Sequence, residues 1–385
     1  MKKYLFSELI EEITELNTEL LYGLDDIVGV TIEKGLIPTI ANLTKTELNK
    51  FYIVKPDTFV FNPRTHGVRL GMGYNDTENT YITSWNNVAF KVKDEARTLL
   101  NPEYLWLYFN RTEWDRETNY HAWGSSTIVF SWNTFRNLSI KLPEKEVQDK
   151  IVRQYKVIKN RIKLKKQIND NLANTEQLIL YQAISKNQTI PLSLNKIAEF
   201  IDGDRGKNYP TFDEFSTSGF CLFLNASNVT SSGFNFDSCM FVTEEKDKIM
   251  RNGHLLLNDI VFTSRGTLGN VALYDKNIKY KNVRINSGML IIRPKGINLS
   301  PYFIYALLKS NYMKSAIEQF RSGSAQPQLP IKDLQNITFD IPESQNVLDD
   351  LEHRFFEIEE TISINKREIG NLSELASILL ARLSR

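Results

Sequence analysis

Enzymes place nucleophiles, acids, bases or metal ligands at workable spacings, and this chain offers few such groupings. Cys221 and Cys239 have no paired ligand motif, so we interpret both as core or surface thiols. The histidines are scattered without the spacing of a metal site: His66, His121, His254 and His353. The sequence therefore indicates no metal centre.

Glycine-containing and proline-containing segments indicate no nucleotide or methyl-donor site either. The chain has no Gly-Lys-Ser/Thr phosphate loop, and Gly71 to Gly73 is too short for a dinucleotide fingerprint, so it is interpreted as a turn. Gly266 and Gly269 do not open an obvious helix. The run Asn101-Pro102-Glu103-Tyr104 resembles the Asn/Asp-Pro-Pro-Tyr loop of amino-methyltransferases, but the second proline is replaced, and we interpret it as a helix start. A binding or scaffolding protein is a better interpretation than a stand-alone enzyme.

Length and composition limit the class of protein. The 385 residues are 42% hydrophobic and 24% charged, which predicts two or three globular domains and excludes a mostly disordered chain. No segment approaches the ~20 apolar residues of a membrane span. Acidic residues soon after Met1 do not fit a signal peptide, and two cysteines fit a reduced cytoplasmic protein. The net charge of +1 lacks the basic excess that is usual in nucleic-acid-binding proteins.

The two halves of the chain resemble each other at an offset of about 200 residues. Each half contains a short alternating strand closed by a Pro-Glu pair, at 135–144 and at 334–343. Three further pairs occur in the same order: 124–126 with 323–325, 85–90 with 285–290, and 56–60 with 258–262. Four pairs in register are hard to attribute to chance, so we interpret the chain as an internal duplication.

Each half combines an α+β domain with a long helix. Short β-rich runs separated by Gly, Asn, Asp and Pro predict the domain, and a following stretch almost without Gly or Pro predicts the helix. We place the first domain at 1–142 and its helix at 143–190. The second domain covers 191–341 and its helix 342–385.

A heptad pattern runs along both predicted helices, and the second helix repeats the register of the first. The predicted seam consists of Ile151, Tyr155, Ile158, Ile162, Leu172 and Ile179 in the first helix, and of Leu351, Phe355, Ile358, Ile362, Leu372 and Leu379 in the second. A seam of this length predicts a coiled coil. The alternative is that each helix only covers its own domain.

Opposite charges favour pairing of the two helices with each other. Residues 143–190 carry 10 basic and 5 acidic residues, whereas 342–385 carry 5 basic and 9 acidic residues. Two helices of one chain, separated by a full domain, can pair antiparallel. Lys165, Asn169 and Asn365 would then fix the register of the seam, or else lie at solvated surface positions. The small net charge hides this cancellation and does not exclude a nucleic-acid partner.

Several segments resemble the specificity subunit of type I restriction–modification systems, and the resemblance covers nearly the whole chain. They are the Asp-Ile-Val-Phe-Thr-Ser-Arg-Gly run at 259–266, Asn286-Ser287-Gly288, the run 323–329 followed by 337–342 and the long helix, and 194–203, which resembles the opening of a second recognition domain. The first half departs more, because 62–67 lacks the Ser-Arg-Gly form and 124–126 lacks the downstream Gln.

The resemblance implies two target recognition domains joined by two long antiparallel coiled-coil helices, in an α+β fold with a pseudo-twofold duplication. Each domain would read one part of a split sequence in double-stranded DNA, and the helices would set the gap. Two modification subunits would dock around the helices and methylate adenine with S-adenosylmethionine. Restriction subunits would use ATP and Mg for translocation and cleavage. The chain itself would carry no chemistry and bind none of these cofactors.

Loops rich in Arg, Lys, Asn, Gln and Ser beside glycine suit base-edge and phosphate contacts, because glycine allows close backbone approach. The candidates in the first domain are Arg64, Thr65, His66, Arg69, Trp123, Ser125 and Ser126. The candidates in the second domain are Arg205, Lys207, Asn208, Tyr209, Arg265, Thr267, Lys279, Lys281, Arg284, Arg321, Ser322, Ser324 and Gln326. Arg64 and Arg265 are the best single candidates, because each follows a predicted strand that begins after Asp57 or Asp259. A solvated surface position is the alternative for each, and Arg265 could instead bind a local carboxylate.

A second class of protein also fits these features. The chain could be a non-enzymatic scaffold whose coiled-coil helices mediate homo-oligomerisation while its β-rich domains bind peptides or carbohydrates. DNA binding that weakens with salt would favour the specificity subunit. A stable homo-oligomer without such binding would favour the scaffold.

Overall fold

The computed structural model describes residues 1–39, 46–65, 69–124, 128–295, 299–320 and 328–383. The chain divides into two compact units. Unit 1 comprises Met1–Lys163 and Gly370–Arg385, and unit 2 comprises Leu164–Ile369. None of the helices in these ranges is both long enough and apolar enough to cross a membrane.

Unit 1 alternates short strands with short helices before a long helix that continues into unit 2. The elements are β1 Lys2–Leu5, α1 Phe6–Leu9, β2 Ile10–Glu12, β3 Val28–Val30, β4 Leu36–Pro38, β5 Tyr52–Val54, β6 Thr58–Phe61, β7 Met72–Tyr74, β8 Tyr81–Thr83, β9 Val88–Val92, α2 Pro102–Phe109, α3 Thr112–His121, α4 Trp132–Arg136, β10 Ser139–Leu142 and α5 Lys145–Lys186.

The main sheet of unit 1 has the strand order β2-β9-β6-β7, and all neighbours are antiparallel. The central strand β6 is buried along its whole length and pairs Phe59 with Phe90 of β9. The ring of Phe109 at the end of α2 packs edge-on against Phe59, with centroids 5.8 Å apart. Stacked and edge-on aromatic rings thus hold the helices on this sheet.

The Asn-Pro-Glu-Tyr run begins α2, as the sequence predicted. The side chain of Asn101 accepts hydrogen bonds from the backbone amides of Glu103 (2.8 Å) and Tyr104 (3.4 Å). Pro102 takes the first helical position, where no amide hydrogen is needed. These residues cap a helix and stabilise its first turn.

Unit 2 has the same kind of alternation with more strands in its first half. The elements are β11 Thr189–Ser193, α6 Leu194–Ile197, β12 Ala198–Asp202, β13 Cys221–Leu224, β14 Val229–Thr230, β15 Gly233–Phe234, β16 Phe241–Val242, α7 Glu244–Ile249, β17 Ile260–Thr263, β18 Val271–Leu273, β19 Val283–Ile285, β20 Met289–Pro294, α8 Pro301–Lys309, α9 Asn311–Phe320, α10 Ile331–Asn336, β21 Thr338–Pro342 and α11 Gln345–Arg382.

The main sheet of unit 2 has the order β12-β20-β17-β18, with antiparallel neighbours. A second sheet, β16-β13-β19, includes the parallel pair β13 and β19. Asp259, which precedes β17 and is 1% exposed, forms a two-pronged ion pair with Arg293 of β20 at 2.8 and 2.7 Å. This pair joins the entry of the central strand to its neighbour.

The two units repeat one topology, and the predicted α+β duplication is confirmed. In each, an N-terminal strand pairs with the strand before the long helix, and a four-stranded antiparallel sheet packs with two consecutive helices. The corresponding elements are β1 with β11, β10 with β21, sheet β2-β9-β6-β7 with sheet β12-β20-β17-β18, α2 with α8, α3 with α9, α4 with α10, and α5 with α11.

The long helices contribute to both units, and their pairing is antiparallel. α5 has 42 residues and α11 has 38, so each is about 60 Å long. In unit 2, Leu180 near the end of α5 shares a core with Leu351 near the start of α11, and Lys165 contacts Asn365 farther along α11. In unit 1, Val152 near the start of α5 shares a core with Leu383, just past α11.

All of the predicted seam residues are at least partly buried. Ile162, Leu351, Phe355 and Ile362 are buried. The half-buried members are Ile151, Tyr155, Ile158, Leu172, Ile179, Ile358, Leu372 and Leu379. This placement is what an apolar seam between two helices requires.

Three polar residues interrupt the seam in unit 2, and they contact one another. The Nζ atom of Lys165 donates to Oδ1 of Asn365 at 2.7 Å, and Nδ2 of Asn365 donates to Oδ1 of Asn169 at 2.8 Å. Lys165 also forms an ion pair with Glu368 at 2.7 Å. Because each polar group is satisfied only in this alignment, the network specifies the register.

Asn365→Leu is expected to lower the free energy of unfolding by about 1–3 kcal/mol, although it adds apolar surface. The leucine would leave the amide of Asn169 and one donor of Lys165 without a partner. Chemical denaturation of the full chain measures the change, with exposed Asn371→Leu on the same helix as the control. The triple replacement of Lys165, Asn169 and Asn365 by leucine should recover most of the loss, and a stabilised single variant would contradict the network.

Candidate nucleic-acid interface

In unit 1, two of the predicted DNA-contacting segments lie side by side. Arg64, in the loop after β6, forms an isolated β-bridge with Val129, and Trp123 forms another bridge with the same residue. The amide of Trp123 donates to the carbonyl of Val129 at 3.0 Å, and that of Val129 donates back at 2.9 Å. The fold thus brings Arg64 and Trp123 to one edge, although the sequence separates them widely.

The side chains at this edge are unusually exposed for their types. Trp123 is 80% exposed and Tyr120, at the end of α3, is 81% exposed, whereas aromatic rings normally seek burial. The guanidinium of Arg64 is exposed, and within the described residues it has no ion pair or side-chain hydrogen bond. The paired backbone presents these aromatic and guanidinium groups to solvent. Such groups can stack on bases and contact base edges.

The other predicted residues of unit 1 are placed differently. Thr65 is buried, and its amide donates to the carbonyl of Ile128 at 3.1 Å. Arg69 is exposed and lies 3.7 Å from the Asp115 carboxylate. His66, Ser125 and Ser126 lie outside the described residues.

Unit 2 repeats the arrangement at the end of β17. Arg265 forms an isolated β-bridge with Gln328, and the neighbouring amide of Leu329 donates to the carbonyl of Ser264 at 3.2 Å. The next residue, Gly266, has a φ of 76°, a left-handed conformation that glycine adopts without strain. Arg265 therefore projects from a tight turn, at the position that Arg64 occupies after β6.

The Arg265 guanidinium is exposed, and no carboxylate among the described residues pairs with it. The sequence left open whether Arg265 binds a local carboxylate. In the described part of the chain it does not, which leaves its five N–H donors available to a ligand.

A second loop of unit 2 approaches the same end of the sheet. Nη2 of Arg205 lies 2.7 Å from Oδ2 of Asp202 and donates to the carbonyl of Ser287 at 3.4 Å. Lys207 is exposed, and the half-buried Asn208 donates to the carbonyl of Ile249 at 3.3 Å. Tyr209 packs edge-on against Phe223, with ring centroids 5.5 Å apart, so it anchors the loop.

The remaining predicted residues of unit 2 fall into three groups. Thr267, Lys279 and Lys281 are exposed. Arg321, Ser322, Ser324 and Gln326 lie outside the described residues. Arg284 is buried and belongs to the interior.

Arg284 has a structural role, which corrects the expectation of a surface contact. Its side chain is 7% exposed; Nε donates to Oδ1 of Asp247 at 2.5 Å and Nη1 to the carbonyl of Asn252 at 2.8 Å. Burial raises the pKa of Asp247, but hydrogen bonds from Arg284 and Cys221 outweigh it and hold the pKa below its usual range. Every guanidinium edge faces protein, so this arginine joins α7 to β19. The sequence around Arg284 did not predict this buried ion pair.

Sequence reasoning missed two exposed aromatic residues next to the predicted loops. Tyr120 lies three residues before Trp123, and Phe212 is 88% exposed between the packed rings of Tyr209 and Phe215. An aromatic residue within three positions of a basic or glycine-rich loop was the available signal.

Potential metal ligands do not cluster in the described part of the chain. Residues 1–39, 46–65, 69–124, 128–295, 299–320 and 328–383 contain no group of three or more His, Cys, Asp or Glu side chains that could hold a metal ion. Burial raises the pKa of the Cys221 thiol, with a further contribution from Asp247, so this cysteine is a poor nucleophile at neutral pH.

Comparison with known proteins points to one family. The family model described as type I restriction modification DNA specificity domain matches this chain twice, over residues 16–174 and 192–369. The solved structure of a type I restriction–modification system S subunit from M. genitalium is similar over 99% of this chain and 95% of its own, with 17% identity and a TM-score of 0.59. The two matches fall one on each half of the duplication.

Two further solved structures were compared. One concerns complex assembly and conformational transition of the type I R-M system; it is 15% identical, with 100% and 97% coverage and a TM-score of 0.44. The other is the HsdS subunit from Thermoanaerobacter tengcongensis, 14% identical, with 99% and 96% coverage and a TM-score of 0.38. No curated protein matches the sequence.

Arg284→Met is expected to lower the free energy of unfolding by about 3–5 kcal/mol, because it leaves a buried Asp247 carboxylate unpaired. Thermal and chemical unfolding of the full chain measure the loss, with exposed Lys279→Met as the control. Nucleic-acid affinity measured where the variant is still folded should match that of the unmodified protein. A stable variant with lost affinity would instead place Arg284 at the interface.

Proposed function

Because this chain belongs to the family of type I restriction–modification DNA specificity subunits, we propose that Arg64 and Arg265 each read a base pair in one part of a split DNA target. The family and the two-domain duplication are the basis of bipartite recognition. What carries the residue-level proposal is the repeated geometry: just beyond each of the corresponding strands β6 and β17 stands an exposed arginine that forms no ion pair within the described ranges.

Base reading by these arginines follows from their chemistry. A guanidinium matches the O6 and N7 acceptors of guanine with two parallel hydrogen bonds. In unit 2, exposed Lys207 in the loop of Arg205 supplies a charge suited to phosphates, which position the protein without reading sequence. Trp123 and Tyr120 add flat surfaces that can stack on bases or wedge between base steps.

The catalytic steps are assigned to partner subunits. We propose that two modification subunits dock around the long helices and methylate adenine with S-adenosylmethionine, and that restriction subunits supply ATP- and Mg-dependent translocation and cleavage. Support comes from exposed apolar side chains on the outer side of α5, at Val157, Leu164, Leu178 and Tyr181. Val157, Leu164 and Leu178 share one heptad position, so they form a second apolar stripe besides the seam.

Arg64→Ala and Arg265→Ala are each expected to relax recognition at one base pair of a different half-site, by about 1–3 kcal/mol of discrimination. The measurement is methylation of a duplex panel, with every half-site base substituted in turn, by this chain assembled with its modification subunit. Lys248→Ala serves as the control, because Lys248 pairs with Glu244 on α7. The chain alone should neither methylate nor cleave. Equal losses on all sequences would mean phosphate contact and would contradict base reading.

The helices are proposed to set the distance between half-sites. Lys165 and Asn365 contact each other, so insertions after these residues lie opposite in the helix pair. Seven residues in each helix add about 10 Å and preserve the heptad phase. Because DNA rises ~3.4 Å per base pair, the spacer should lengthen by about three base pairs.

Methylome sequencing of cells that carry the insertion variant and its modification subunit reads the new spacer directly. Both half-sites should remain unchanged. A variant with seven residues inserted in α5 alone is the control, because it breaks the seam and should lose methylation. An unchanged spacer with full activity would contradict the role of the helices as a ruler.

A further inference from the structure

A buried cluster of charges lies where α8 meets both long helices in unit 2. Lys309, the last residue of α8, donates from Nζ to Oε2 of Glu176 on α5 at 2.8 Å and to Oε1 of Glu359 on α11 at 2.6 Å. The Glu176 side chain is 0% exposed, and those of Glu359 and Lys309 are 8% and 17% exposed. We call these three residues the Lys309 cluster.

The surroundings close the cluster off from water. The ring of Tyr305 lies 4.7 Å from Nζ of Lys309, and Nε2 of Gln177 donates to the carbonyl of Ala306 at 3.1 Å. Within the described residues, Oε1 of Glu176 has no hydrogen-bond partner. The ammonium group of Lys309 therefore ties the end of α8 to both α5 and α11, and Gln177 adds a hydrogen bond between α8 and α5.

The position of Glu176 is unusual, because it lies in the heptad seam itself, four residues after Leu172 and three before Ile179. An apolar residue would normally occupy such a position. Burying three ionisable groups is costly unless they compensate one another, and replacement by apolar residues is often neutral or stabilising. Stability alone therefore does not account for the cluster.

Unit 1 lacks this cluster. The positions that correspond to Lys309, Glu359 and Glu176 are occupied by Asn110, Lys159 and Ala376. Unit 1 nevertheless forms the same sheet and helices, so the fold does not require the cluster. The role of the cluster is therefore specific to unit 2.

The residues one turn away from the two glutamates are almost all apolar. They are Leu172, Ala173, Ile179 and Leu180 on α5, and Phe355, Phe356, Ile362 and Ser363 on α11. If α8 moved by one helical turn, about 5.4 Å, the Lys309 ammonium would face these side chains without a counter-charge. Only one position of α8 along the helix pair satisfies the lysine.

We propose that the Lys309 cluster is the positioning device that holds the second recognition domain at one place along the helix pair, and thereby sharpens the choice of spacer length. This inference rests on the proposed ruler function. Lys309, Glu176 and Glu359 act as positioning residues and do not touch DNA. The cluster selects one position of the domain because, at any other, the Lys309 ammonium would lack its counter-charges.

The test replaces the whole cluster, so that no buried charge remains unpaired. The variant Glu176→Leu, Lys309→Met and Glu359→Leu is assembled with the modification subunit, and its methylation is measured on duplexes whose spacer is native or changed by one base pair. We expect full methylation at the native spacer, with discrimination against the changed spacers reduced about tenfold. A second set, with glutamine at all three positions, removes the charges at similar size. Glu357→Leu, exposed on α11, is the control.

The outcomes separate this inference from the proposed function. Wild-type protein without any spacer preference would overturn the ruler function itself. Wild-type preference that persists in a folded variant of either set would overturn only the positioning role, because a purely structural cluster would leave spacer choice unchanged.

A second measurement tests whether the cluster is closed as described. Burial, and next the Glu359 carboxylate, raise the pKa of Glu176 to about 8, and Lys309 only partly offsets this. Tyr305 and Lys309 face the carboxyl from α8, Glu359 faces it from α11, and Lys366 of α11 donates to the carbonyl of Ser232 nearby.

The folded protein thus holds a proton on Glu176 that the unfolded chain releases above its ordinary value of 4.5. Stability should fall as pH rises from about 5 to 8, and the unfolding temperature of Glu176→Gln should rise relative to wild type over the same window. Parallel pH profiles of the two proteins would show an open, solvated carboxyl and would contradict the closed cluster on which the positioning role depends.

Discussion

The apolar seam shared by α5 and α11 is the constraint on which the rest of this structure depends. A helix of about 40 residues with a heptad stripe must bury that stripe, and here the two helices contribute to the cores of both units. In unit 1, the early part of α5 shares a core with the late end of α11. In unit 2, the late part of α5 shares a core with the early part of α11. Neither unit is complete without chain from both helices, so the domains of the duplication cannot be separated at the predicted domain boundaries without exposing the seam. The polar network of Lys165, Asn169 and Asn365 then selects one alignment among those that an apolar stripe alone would permit.

The same pairing explains how a nearly neutral chain can read DNA. The basic excess of the first helix and the acidic excess of the second cancel within the chain, and the cancellation includes ion pairs such as Lys165 with Glu368. Charges used in this way do not attract phosphates. In each unit the proposed base-reading arginine, Arg64 or Arg265, is accompanied mainly by polar and aromatic groups and by few further cations. Phosphate contacts supply a large share of the affinity in protein–DNA complexes, so this arrangement favours a reader that gains part of its affinity from partner subunits.

The long helices and the duplicated domains were predicted well, because they follow from periodicity and repetition in the sequence. Heptad spacing is a local signal, and the duplication tested each assignment twice, so the helices and the α+β halves followed without coordinates, whereas the antiparallel direction was implied by the family resemblance. Side-chain partners that come from distant segments could not be predicted. Arg284 resembled a surface arginine until Asp247, which lies 37 positions earlier, was found against it in the interior. The proximity of Arg64 and Trp123 likewise depends on a bridge to Val129 that no local pattern encodes. Glu176 was passed over because a heptad search registers apolar residues, whereas an acid at a seam position was the informative departure.

The departures from symmetry are where the two halves acquire separate functions. A duplicated fold places Arg64 and Arg265 at equivalent positions, so recognition of two half-sites needs only different loops on the same scaffold. The distance between half-sites is a different problem, because a repeated scaffold whose domain can shift by one turn along a helix would read several spacers. An unshared feature must remove that freedom on at least one side. The Lys309 cluster has the required properties: it joins one domain to both helices, its counter-charges occur at one level only, and unit 1 has other residues at all three corresponding positions. Burying charge in an apolar seam is a poor way to stabilise a helix pair and an effective way to make one alignment the only acceptable one.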